Sequence, residues 1–472
     1  MTTSAATAPS RAIHRTTITY LTILVLAVFA FLGIRYFGEG LTAPASAVAT
    51  VEKAAKPARP EILLHVLITL AVVAAAGLVL GSLCARIGQP PVIGEVIGGI
   101  LLGPSFLGAL SPAAMHFVLP TEVAPSLGVL AQIGVILYMF QVGLELNGEL
   151  LRERAHQTVA ISHASIVAPF LIGATFALYL YPRLSTSEVP FTSFALFLGV
   201  SMSITAFPVL ARILTDLRIS RTPLGIMALT CAATDDVTAW CLLAFVVGVA
   251  QAQIGGALVV LALTVVYIAG MYFVVRPLIA RWLSYAGEQP VTHSQIAIGL
   301  IALLVSALAT EWIGIHAIFG AFLLGAVIPH DSKLAQTFSQ KIDTLTAVLF
   351  LPAFFAFTGM RTQIGLVSGI EQWLICGAII VIATLGKFGG ALLAARCTGT
   401  GWRQASAIGA LMNTRGLMEL IVLNIGLDLG VITPTLFAMM VLMAIVTTTA
   451  TSPILRRILR RDETGNFAMN EA

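Results

Sequence analysis

The sequence predicts an all-α polytopic membrane protein, and three observations carry that reading. Of 472 residues, 58% are hydrophobic and only 10% charged, against about 25% charged in a soluble domain. Mean hydropathy is +0.96, and uncharged stretches of about 18 residues or more recur along the chain. Hydrocarbon offers no hydrogen bonds, so each backbone amide must be satisfied within its own segment, which makes long apolar runs helices. A β-barrel would show short alternating segments instead. The sequence pI of 8.9 comes from 26 bases nearly balanced by 22 acids. No nucleic-acid partner is expected, and the placement of the bases carries the information. Cys84, Cys231, Cys241, Cys376 and Cys397 are scattered without C-x-x-C spacing, which indicates neither a disulfide framework nor a zinc site. No cofactor is expected.

Taken in order, residues 1–61 hold a first apolar stretch, Thr16 to Ile34, followed by Ala45-Ser46-Ala47 and an Ala/Pro-rich linker, 48–60. The stretch reads either as a signal peptide or as an extra helix. About thirteen spans then follow, fourteen if that segment is retained: 62–83, 91–107, 126–146, 158–181, 191–214, 224–251, 254–283, 294–313, 315–328, 345–362, 372–396, 406–427 and 434–452. The second and ninth are short for a hydrocarbon core of about 30 Å. Assigned to alternating sides, sixteen bases in the connections and toward the span ends fall on one side and six, counted from Arg35, on the other. The positive-inside bias then puts the C-terminal tail, 455–472, in the cytoplasm, in a cell membrane. No cytosolic domain is expected after Pro453.

Thirteen spans divide as six plus one plus six, so that two sets of six enter from opposite sides with 254–283 as the connector: an inverted repeat, which favours a transporter. The fifth helix of each set is interrupted by polar residues, Ser203-Ile204-Thr205-Ala206-Phe207-Pro208 in one and Asn413-Thr414-Arg415-Gly416 in the other. A matched pair of broken crossing helices points to a midplane ion site, where unwound carbonyls and opposed helix dipoles meet charge.

Within the spans the ionisable groups are few: Asp235, Asp236, Lys387, Arg415 and Glu419, with Glu95, Glu145 and Glu311 nearer the ends. A central charge costs about 2.5–3.5 kcal/mol on insertion scales, so its default reading is functional. Asp235 and Asp236 are about 100° apart around one helix, which gives them different partners. Lys387 needs a counter-charge. Its pair with an aspartate is either a proton carrier or a permanent strut. Arg415 and Glu419, four apart, are read as pairing with each other rather than ligating an ion. Glu95 is a mouth residue, either solvated or gating. His163, His293, His316 and His330 lack metal spacing and read as packing or interface residues. An intramembrane aspartyl protease needs its two carboxylates about 3 Å apart on facing segments. Adjacent aspartates on one helix do not supply that, so no enzyme is expected. A cation channel or a transport-dead sensor on the same fold stays open as the alternative.

At these residues the chain resembles the second cation:proton antiporter family, near its plant and fungal cation/H+ exchanger branch. The matching segments are 89–108 (QPPVIGEVIGGILLGPSFLG), 135–146 (VILYMFQVGLEL), 201–214 (SMSITAFPVLARIL), 232–240 (AATDDVTAW), 315–329 (IHAIFGAFLLGAVIP) and 411–426 (LMNTRGLMELIVLNIG). The resemblance implies a homodimeric, elevator-like antiporter exchanging Na+ or K+ for H+. Residues 158–251 and 372–454 would form the moving core, with 62–146 and 294–362 the scaffold. It further implies that Asp236 binds the cation or proton, with Thr205 in the broken helix beside it, and that Lys387 pairs with Asp235. Asp at position 235 accompanies electrogenic exchange in the family, whereas the plant exchangers carry Asn there. The nucleotide-sensing domain of glutathione-gated potassium efflux systems is missing, so that regulation is not expected.

Overall fold

The computed structural model describes residues 9–41, 62–145, 155–220, 222–251, 257–286, 291–329 and 331–460. The expected cleavage pattern at 45–47, the linker, His330 and the tail beyond 460 lie outside them. Among the described residues there is no β-strand. The helices are α1 (Pro9–Gly38), α2 (Ile62–Arg86), α3 (Pro91–Leu102), α4 (Leu107–Leu110), α5 (Pro112–Val118), α6 (Ala124–Glu145), α7 (Ala155–Leu184), α8 (Phe191–Ser203), α9 (Phe207–Asp216) and α10 (Pro223–Gln251). After them come α11 (Ala257–Gly270), α12 (Arg276–Ala286), α13 (His293–Ile313), α14 (Ala317–Val327), α15 (Lys333–Leu345), α16 (Leu351–Arg361), α17 (Gly369–Cys397), α18 (Trp402–Met412), α19 (Leu417–Asp428) and α20 (Pro434–Arg460).

Eleven helical segments are long and apolar enough to cross a membrane, or twelve when α18 and α19, bent by 43°, count as one. The ninth span of the sequence reading is the short helix α14, and α1 is helical over Pro9–Gly38. One boundary moves substantially. The tenth span begins at Lys333 rather than Leu345, because α15 continues through a π-turn at Thr346–Phe350 into α16. Residues 333–345 are polar on average. Leu334, Phe338 and Ile342 recur every fourth residue and bury one face, so periodicity rather than hydropathy marks this helix. Local chemistry sets other ends: Thr292 and Gln295 form a reciprocal capping box at α13, and Gly314, at φ 92°, turns its C-terminus.

Packing sorts the helices into two groups. α7, α8, α10, α17, α18 and α20 pack on one another, with α9 against α10 and α19 against α8 and α20. α2, α3, α6, α14 and α16 form the other group, with α13 on α14 and α15 on α6. Without a hydrophobic drive between helices in lipid, small residues that let backbones approach hold such groups together. Gly99 of α3 faces the Phe355 carbonyl and Gly359 of α16 faces the Gly99 backbone, so an added Cβ at either would overlap main-chain atoms. Gly359→Val is therefore expected to destabilise the purified protein by about 1–3 kcal/mol, as overpacking does. Gly365, with open space where its Cβ would be, tolerates Ala. Thermal unfolding in detergent compares the two.

Candidate functional site

Two helix breaks meet at the centre of the larger group. α8 ends at Ser203 and α9 begins at Phe207, with the non-helical residues 204–206 between them. Pro208, near the N-terminus of α9, has no N–H to give to a continuing helix. α18 ends at Met412 and α19 starts at Leu417. Each break exposes backbone groups with no intrahelical partner, and the breaks satisfy some of these between them. Ala206 N–H donates to Thr414 O at 2.9 Å, and the Thr205 hydroxyl lies 3.2 Å from Met412 O. Arg415, fully buried, closes the end of α8: Nη1 donates to Ser201 O (3.0 Å) and to Glu419 Oε2 (2.8 Å), and Nη2 to Met202 O (2.6 Å). Thr448 of α20 holds the Arg415 backbone, its Oγ1 lying 3.1 Å from the N–H and 2.6 Å from the carbonyl.

The two aspartates of α10 sit in opposite circumstances. Asp235 is fully buried and accepts from four side chains: Lys387 Nζ (2.8 Å to Oδ2), Thr205 Oγ1 (2.7 Å to Oδ2), Ser162 Oγ (2.7 Å to Oδ1) and Ser165 Oγ (2.8 Å to Oδ2). Lys387 also donates to Ser203 O, the carbonyl at the end of α8. Ser203 contributes that carbonyl, while its hydroxyl bonds back to Gly199 O. Asp236 is 2% exposed, and neither of its oxygens has a hydrogen-bond donor. Asn413 Oδ1 and Thr414 Oγ1, at the other break, are likewise buried without a partner. Bare oxygens of this kind in a low-dielectric interior are costly, and a proton or a dehydrated cation satisfies them.

The structure thus brings Asp235, Lys387, Thr205 and Ser203 into one network, and Arg415 and Glu419 into a second. Thr205 bonds to Asp235, whereas the sequence reading placed it beside Asp236. Ser162 and Ser165 of α7 were not singled out from sequence; their signal is two hydroxyls three residues apart on one face of an apolar span. Glu311 Oε2 accepts from Ala317 N–H at 2.7 Å, and His316, at φ 77°, precedes α14. Glu95 is half-buried on α3. His163 Nδ1 lies 2.8 Å from Val159 O of its own helix.

Removing one member of a buried pair strands the other. Arg415→Met leaves Glu419 and two carbonyls without donors and is expected to lower stability by about 3–5 kcal/mol. The double variant Arg415→Met/Glu419→Gln recovers part of that loss, because no charge is then stranded. Unfolding of both purified variants measures the difference.

Comparison with known proteins adds to this geometry. A family model described as the transmembrane sodium/hydrogen exchanger matches residues 67–461. The Na+/H+ antiporter NhaS4 of Synechocystis sp. is 43% identical over 399 residues, covering 84% of this chain and 97% of that protein. The cation/H+ antiporter 18 of Arabidopsis thaliana is 38% identical over 387 residues, covering 81% of this chain and 47% of the relative. The K+/H+ antiporter 1 of Saccharomyces cerevisiae is 32% identical over 377 residues, covering 78% and 42%. The chain therefore spans nearly all of the cyanobacterial relative and less than half of the plant and yeast ones. The fold is that of the sodium proton antiporter MjNhaP1 of Methanocaldococcus jannaschii, with a TM-score of 0.60 at 16% identity over 84% of this chain and 96% of that one. On the family match over most of its length and these relatives, the chain belongs to the sodium/hydrogen exchanger family.

Proposed function

We propose that the protein is a secondary antiporter exchanging a monovalent cation, Na+ or K+, for H+. The observation that carries this reading is the buried Asp236 carboxylate, without a donor, beside an Asp235 bonded by four. The relatives named as cation/proton antiporters support it. Asp236 takes either a proton or a cation, and Asn413 Oδ1, Thr414 Oγ1 and carbonyls of the breaks supply further oxygens to the cation. Exchange follows from that competition. The doubly empty site leaves an uncompensated charge among apolar helices and crosses poorly, whereas either loaded form is closer to neutral. Arg415, Glu419 and Ser203 keep the breaks in register.

The transmembrane arrangement that fits this cycle has about thirteen spans, the twelve long ones and the short α14, arranged as an inverted repeat with the C-terminus in the cytoplasm of a cell membrane. The group containing α8, α10 and α17 moves elevator-fashion against the other, which is the scaffold of a homodimer. The protein works as a transporter, not an enzyme. In proteoliposomes with a proton-sensitive dye, Asp236→Asn is expected to abolish exchange with Na+ and K+ while leaving folding intact. A neutral amide neither exchanges a proton nor balances a cation, and near-normal exchange by this variant would move the site elsewhere.

Electrogenicity follows if Lys387 gives up its proton when the pair with Asp235 opens on cation entry and takes one up again when the pair closes on release, because an extra proton then travels in each cycle. Moving one net charge is worth about 2.3 kcal/mol per 100 mV. Exchange by the wild type is expected to respond to a clamped potential, with an ionophore whose ion is not the substrate, and Asp235→Asn to reduce that response. A rate indifferent to the potential would identify the pair as a static strut.

A further inference from the structure

The seam between the two helix groups is polar at its ends and apolar in between. Between them, Val92, Ile93 and Val96 of α3 face Gly416, Leu420 and Ala444 around a narrow void. Near the start of α20, Arg361 at the end of α16 reaches across to α19. Its Nη2 lies 2.5 Å from Asp428 Oδ1 and its Nη1 3.1 Å from Asn424 Oδ1, while Asn424 Nδ2 donates to Thr358 Oγ1 at 2.8 Å. Beside these contacts lies a small void of about 30 Å3, walled by Ala131, Val135 and His316 on one side and Ile421, Asn424 and Asp428 on the other. At the far end of α20 the seam holds a cavity of about 670 Å3 beside Gly88, Gln89, Ser452 and Arg456. There the crossing contacts are Gln89 Nε2 to Thr449 O at 3.1 Å and Arg456 Nη2 to Gly88 O at 3.5 Å.

From this asymmetry we infer that Arg361 and Thr358 on one group, with Asp428 and Asn424 on the other, form a latch that holds one side of the transport pathway shut and opens whenever the groups slide to the opposite state. The inference rests on the antiport reading. Two physical features suit a latch. The Arg361 and Asp428 side chains are 22% and 43% exposed, and a partly exposed pair contributes little net stability, so it breaks readily. Breaking it strands no fully buried charge, because both side chains are partly exposed. The Lys387–Asp235 and Arg415–Glu419 pairs are different: they lie wholly within one group and are fully buried, so sliding does not strain them. The latch residues sit outside the Asp235–Asp236 network and none of them lies at either helix break.

Two arms test the latch, both in a background with the five native cysteines replaced. In the first, Arg361→Cys and Asp428→Cys are joined by a reducible bis-thiosulfonate crosslinker in proteoliposomes. Exchange is expected to stop on crosslinking and return on reduction; crosslinked protein exchanging at the uncrosslinked rate overturns the latch. The second arm needs no exchange. Ile421→Cys, in the wall of the void beside the latch, is expected to react with a membrane-impermeant maleimide roughly fivefold faster once Asp428→Asn is added, the factor expected for a lost pair of this exposure. The charge swap Arg361→Asp/Asp428→Arg returns labelling to the parent rate. Equal labelling in all three overturns the latch while leaving antiport intact. Latch-dependent labelling in a protein that exchanges no cation for protons would instead overturn the antiport reading and keep the latch.

Discussion

A lysine ammonium buried among apolar helices has to be neutralised, and the Lys387–Asp235 pair is where this bundle does so. The pair joins α17 to α10, and Lys387 reaches on to the last carbonyl of α8. Ser162 and Ser165 add α7, and Thr205 adds the first break. Four elements are thereby fixed around one carboxylate. Its neighbour Asp236, turned about 100° around the same helix, is left without a donor.

The breaks depend on the same economy of polar groups. An interrupted helix in an apolar interior exposes backbone that has no water to turn to. Here the breaks bond to each other through Ala206 and Thr414, and Arg415 covers the carbonyls of Ser201 and Met202. Non-helical backbone is tolerated at this depth because protein surrounds it. Among the buried oxygens left without a partner near the breaks are both of Asp236, Asn413 Oδ1, Thr414 Oγ1, Ser201 Oγ and Glu419 Oε1.

What the sequence disclosed follows from cost. A charge in an apolar span is expensive enough to stand out, so the sequence singles out Asp235, Asp236, Lys387, Arg415 and Glu419, and the structure buries all five. Pro208 and the Asn413-Thr414-Arg415-Gly416 run likewise announced the interruptions. Ser162 and Ser165 were not legible, because serine in a helix ordinarily bonds its own backbone and costs little. The amphipathic α15 was hidden by its low hydropathy. The partner of Thr205 differs from the reading for a geometric reason: the resemblance set it beside Asp236, and the facing of α10 turns Asp235 toward it. The seam contacts of Arg361 with Asp428 and Asn424 join positions more than sixty residues apart, which no local pattern reveals.

Whether proton and cation compete at Asp236 is tested most directly by the protons released when a cation binds. Purified protein in weakly buffered detergent solution is mixed with Na+ or K+, and the released protons and bound cation are followed together. Competition predicts that each bound cation displaces protons and that its apparent affinity rises with pH until release is complete. Cation binding at Asp236 that displaces no proton and is indifferent to pH would contradict it.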